Sequence, residues 1–97
     1  MRMLVKVSVP CEAGNAAIRD GSLSATIQKA MAELKPEAAY FTALDGNRTA
    51  LFFLDMKLNS DMPMIAERFF LGLNAKVDFY PAMNAQDVAA GLAALPK

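Results

Sequence analysis

Four consecutive large apolar side chains, Leu51-Phe52-Phe53-Leu54, make the greasiest run in the chain. Side chains along a strand point alternately to its two faces, so a strand that is apolar on both sides needs cover on both. The run therefore belongs at the centre of a sheet. At 97 residues the chain is one domain, residues 1–97, with length for one core and no second one.

The flanking segments say what covers it. Met3, Val5, Val7 and Val9 alternate with Leu4, Lys6 and Ser8, the period of a half-buried strand that Pro10 ends. From about Ala13 to Lys35 the pattern turns helical, with Leu23, Ile27, Met31 and Leu34 on one stripe. Gly21-Ser22 predicts a break, with a short helical turn over Asn15–Arg19 before a kink or restart, and Pro36 closes the element. Ala38–Leu44 reads as a second strand and Arg48–Met56 as the third. They are joined by Asp45-Gly46-Asn47, where Gly46 or Asn47 supplies the positive φ of a hairpin. Ser60 or Asp61 caps a second helix carrying Ile65 and Phe69, with Gly72 just past its end. Ala75–Tyr80 alternates again, and Asn84 caps a terminal helix lined by Val88, Leu92 and Leu95.

Strand, helix, strand, strand, helix, strand in one small domain, with right-handed crossovers, gives an α+β fold. It is the ferredoxin-like βαββαβ sandwich, a four-stranded antiparallel sheet with an extra C-terminal helix. Two helices cover one face, toward which Met3, Val5, Val7, Phe41, Val77 and Phe79 point. The opposite face carries Leu4, Lys6, Ser8, Tyr40, Thr42, Lys76, Asp78 and Tyr80. From the third strand that face takes either Ala50, Phe52 and Leu54 or Leu51, Phe53 and Asp55, because two- and three-residue hairpin loops give opposite parity. Either set brings large apolar side chains to a face that a monomer leaves in water, the mark of an interface or a ligand groove.

Composition removes much chemistry. There is no histidine, hence no imidazole base, triad or metal ligand, and the single Cys11 permits no internal disulfide or cluster. Neither a phosphate-binding glycine loop nor a metal-spaced carboxylate cluster is present, so no metal and no cofactor are expected. Ten Lys and Arg balance ten Asp and Glu, which leaves no basic footprint for nucleic acid or an anionic membrane and permits self-association. Without a signal segment or a long apolar span, a reduced cytoplasmic protein is expected.

The segments EAGNAAIRDGSL (Glu12–Leu23), KPEAAYFTALDGNRTALFFLD (Lys35–Asp55) and FFLGLNAKVDFYPAM (Phe69–Met83) carry a resemblance. The chain resembles the dimeric α+β barrel superfamily and, within it, a small bacterial family that brings no activity with it. The superfamily includes cofactor-free monooxygenases, muconolactone isomerase-like enzymes, haem enzymes and ligand-sensing domains of transcription factors. The resemblance implies a homodimer with a pocket between sheet and helix or between sheets, and no particular reaction.

Lys6, Tyr40 and Asp78 are the polar groups that alternation aims at the uncovered face, and Thr42 accompanies them. In an apolar pocket a Lys or Tyr becomes an acid, a base or an anion anchor that Asp78 tunes. The plainer alternative is a cross-strand ion pair of Lys6 with Asp78. Arg19, with Asn15 and Asp20 between Gly14 and Gly21, is a further candidate for holding a carboxylate or phosphate. Its alternative is a surface pair with Asp20 or Glu12, leaving Asn15 and Asp20 as helix-end residues. Cys11 before a helix start reads as a half-buried thiol without chemistry. Arg48 and Asp45 read as a weak pair flanking the hairpin. Arg68 is either a surface charge paired with Glu67 or Asp61, or a group at a pocket mouth.

Two functions follow. One is a small-molecule-binding homodimer for an apolar or aromatic metabolite, its head held by Lys6, Tyr40, Thr42, Asp78 and Arg19, with room for cofactor-free enzymatic chemistry. The other is a dimeric interaction module without catalysis, in which the uncovered face serves only to join copies.

Overall fold

The computed structural model describes residues 1–96. Its strands are β1 (Arg2–Val9), β2 (Ala38–Leu44), β3 (Asn47–Asp55) and β4 (Lys76–Pro81). Its helices are α1 (Cys11–Asp20), α2 (Ser22–Leu34), α3 (Met62–Leu73) and α4 (Ala85–Ala93), with a single 3-10 turn at Asn59–Asp61. All strand pairs are antiparallel, in the order β2-β3-β1-β4. This is the expected ferredoxin-like α+β arrangement, with the apolar β3 and β1 at the centre.

Gly21 is left-handed at φ 81° and separates two full helices rather than a single turn and a restart. Hydrogen bonds from Ser22 hold the Asp20 carboxyl below its usual range and tie down the start of α2, its backbone N donating at 2.8 Å. On α2 the buried stripe runs through Leu23, Ile27, Ala30 and Leu34. Ala30 takes the fully buried place that the spacing assigned to Met31, which is exposed. Gly72 lies inside α3, and the left-handed residue that ends this helix is Asn74, at φ 52°. Asn84 Oδ1 accepts from Asp87 N at 2.8 Å while Asp87 Oδ2 accepts from Asn84 N at 3.0 Å, the capping box that starts α4.

The hairpin is a two-residue loop. Leu44 pairs with Asn47, and Asp45 and Gly46 both have positive φ, the backbone that matches strand twist. Asn47 is already in the strand. This loop sets the parity that alternation left open. Val5 stands opposite Phe52 and Val7 opposite Ala50, so Ala50, Phe52 and Leu54 join Met3, Val5 and Val7 beneath the helices. Leu51, Phe53 and Asp55 go to the other face. Phe52 stacks on Phe69 of α3 with ring centroids 5.7 Å apart at 18°, and the two are among the largest fully buried side chains. Here α3 is fastened to the sheet.

α4 does not join this core. Every residue from Ala85 to Ala93 is exposed, Val88 and Leu92 of its apolar stripe included, and none belongs to the core cluster. The molecule is 57 Å along its long axis against 27 and 18 Å across. Its radius of gyration, 15.5 Å, exceeds the value of about 12.5 Å expected of a compact chain of this length. No helix among the described residues is long and apolar enough to cross a membrane.

Candidate ligand groove and open sheet face

Two surfaces concentrate the candidate chemistry, one on each side of the sheet. On the open face the strand registers place Tyr40, Leu51, Lys6 and Asp78 in a single row across all four strands. The next rows are Thr42, Thr49, Ser8 and Lys76 on one side, and Ala38, Phe53, Leu4 and Tyr80 on the other. Four of the five predicted site residues, Lys6, Tyr40, Thr42 and Asp78, thus share one face. Neighbouring strands lie about 4.8 Å apart, so Lys6 and Asp78 are adjacent while Tyr40 is two strands from Lys6. Tyr40 is 62% exposed and meets Phe53 edge-on at 6.5 Å. Leu4, Leu51 and Phe53 are only half-buried. Lys6 and Asp78 form no ion pair among the described residues, although they are directly opposite, so the expected cross-strand bridge is not closed within the chain.

Arg19 stands apart. It is exposed in the last turn of α1, where a cation suits the helix dipole, on the layer that covers the other side of the sheet. It pairs with neither Asp20 nor Glu12 among the described residues.

The second surface is a groove where α1 and α2 overhang β2. The helix layer covers the central strands and leaves this edge strand open, so Phe41 on the covered face is still 55% exposed. Leu23, Ile27 and Phe41 run through the groove. Its inner part, about 350 Å³, reaches Val7, Val9, Ala50 and Arg48, and Thr42 and Thr49 line it as well. Its outer part, about 500 Å³, continues past Ala17, Ile18 and Gln28.

Arg48 does not make the expected pair with Asp45. It sits instead on the helix-covered face of β3, opposite Val9, and is half-buried under α1. Its Nη2 donates to Asn15 Oδ1 at 3.0 Å. Asn15 lies in the body of α1 rather than at an end, and its Nδ2 donates to Cys11 Sγ at 3.8 Å. A Cβ on Gly14 would stand 2.7 Å from Arg48 Nη1, so a glycine is what lets the guanidinium lie against the helix. Cys11, the first residue of α1, is exposed rather than half-buried. Arg68 pairs with Glu33 of α2 at 2.8 Å, not with Glu67 or Asp61.

A third cluster closes the end of the sheet from which α4 departs. Arg2 donates to Glu37 at 2.7 Å and lies 3.5 Å from Asp87. Asp55 accepts from Lys57 and from the N-terminal ammonium, which hold its carboxyl down to about 2. These charges satisfy one another. No family model matches the chain, and no curated protein matches it.

Proposed function

We propose that the chain acts as a homodimer that binds a small, largely apolar molecule carrying a polar head. The observation that carries the ligand is the apolar groove between α2 and β2, about 350 Å³ in its inner part, which is the size of small-molecule sites and is lined mainly by aliphatic and aromatic side chains. The homodimer rests on the open face. An antiparallel sheet can leave one face in water when that face is polar, but here Leu4, Leu51, Phe53, Tyr40 and Tyr80 form a contiguous apolar field. A second copy stacked on it, as in the dimeric α+β barrels that the sequence resembles, covers this field and gives Lys6 and Asp78 partners on the facing sheet. In this arrangement Lys6, Tyr40 and Asp78 fix the register of the two copies, while the groove takes the ligand.

Native mass spectrometry of gently purified protein tests both halves. A dimer with a discrete adduct that Ile27→Asp removes is the expected result. A dimer that never carries an adduct and binds no apolar probe would contradict the ligand half. It would favour the alternative of an interaction module, to which the exposed apolar stripe of α4 also lends support.

A further inference from the structure

We infer that the groove is a site for an apolar carboxylate, with Arg48 holding the head group and Leu23, Ile27 and Phe41 the body; this rests on the ligand-binding function proposed above. The half-buried arginines differ in how they are satisfied. Arg2 meets Glu37 and Asp87, and Arg68 meets Glu33. Arg48 is half-buried like them but meets no carboxylate among the described residues, Glu12 and Asp45 included. One of its five N–H groups is taken by the neutral Asn15 Oδ1. No buried side-chain nitrogen or oxygen among the described residues lacks a partner, so the remaining donors are solvent-accessible, and Arg48 is one of the residues that line the groove.

A guanidinium held this way is a preformed anion receptor. Asn15 on one side and the bare backbone at Gly14 on the other limit its rotamers, so little order is lost when a ligand binds. The planar fork suits a carboxylate, which accepts two parallel N–H bonds. The groove beside it is apolar and offers no second charge, which fits a monocarboxylate with a hydrocarbon or aromatic body and disfavours a dianion or a sugar acid.

The test compares sodium 4-phenylbutyrate with its neutral amide, 4-phenylbutyramide, on the full chain by two-dimensional NMR of amide and arginine Nε signals. The acid is expected to shift Leu23, Ile27, Phe41 and Arg48 and to bind about ten- to a hundredfold more tightly than the amide, the span of a hydrogen-bonded charge. Arg48→Gln should bring the acid to the affinity of the amide, and Arg48→Lys should keep part of the difference. Equal binding of acid and amide to the unmodified chain would overturn the carboxylate assignment while leaving the groove as a ligand site. Binding of neither compound at the groove would overturn both. The acid–amide comparison needs no variant, so it decides even if Arg48→Gln does not fold.

Discussion

Lys6 of β1 and Asp78 of β4 stand directly opposite each other on the open face and make no ion pair. Opposite charges side by side in an apolar field, with neither spent on the other, are available to a facing surface. Two copies stacked on this face would let Lys6 of one pair with Asp78 of its partner, twice by symmetry.

That geometry predicts energetic coupling. Lys6→Met and Asp78→Asn should each weaken the dimer, and the double variant should recover part of the loss. The coupling should be about 1 kcal/mol or more in a cycle of dissociation constants. Additive effects would place the two residues outside the interface.

Phe52 and Phe53 are neighbours in sequence and opposites in role. Phe52→Ala should cost about 3–5 kcal/mol of stability, because it empties the space beneath Phe69. Phe53→Lys should leave each protomer folded and return it to a monomer. Thermal melts with light scattering separate the two, and a Phe53→Lys dimer as stable as the parent would mean the open face is not the contact.

The contrast marks what alternation can tell. Val5, Val7, Val77 and Phe79 face the helices as their period requires. In β3 both faces are apolar, so the parity came instead from Asp45, a non-glycine residue held at φ 52° that shortens the loop to two residues. The place of Arg48 depends on the same parity. Its position in the sequence next to the turn suits a hairpin charge, whereas the register puts it on the covered face beside Val9 and Ala50. Gly14 did carry a legible signal, since a glycine in a helix indicates close approach, and what approaches is Arg48. That α4 stays out of the core was beyond sequence patterning, because Val88 and Leu92 make an apolar stripe whether they dock at home or elsewhere.

Gly14→Ala tests that packing. Alanine favours the helix by up to about 1 kcal/mol over glycine, but its Cβ would stand 3.3 Å from Val9 Cγ1, so the fold should be kept without a gain in stability. Its Cβ would displace the guanidinium, and the preference of the groove for a carboxylate over its amide should fall. An unchanged preference would show that Arg48 does not need its seat against α1.

Acid should unfasten the end of the sheet. The Asp55 carboxyl is held down to about 2 by hydrogen bonds from Lys57 and the N-terminal ammonium. A folded value below the unfolded one of about 3.9 means that its contribution is complete above roughly pH 5 and is lost as the pH falls toward 2. The groups are exposed and salt screens them, so the effect is small. Asp55→Asn should flatten the stability profile in that window and change nothing at pH 7 to 8 beyond a constant offset. A profile identical to the parent's would assign acid sensitivity to other carboxylates.

A nine-residue helix is too short to persist alone in water. The amides of α4 should therefore gain hydrogen-exchange protection with rising protein concentration, as copies associate and Val88 and Leu92 find cover. Leu92→Lys should abolish that protection. Protection independent of concentration would mean that α4 is ordered within its own chain.

The most direct test of the whole account is sedimentation equilibrium of the unmodified chain at micromolar concentration. The open apolar face predicts a species of twice the 10.5 kDa chain mass that Phe53→Lys converts to a folded monomer. A stable monomer across the concentration range would contradict the pairing of sheets on which the proposed function stands.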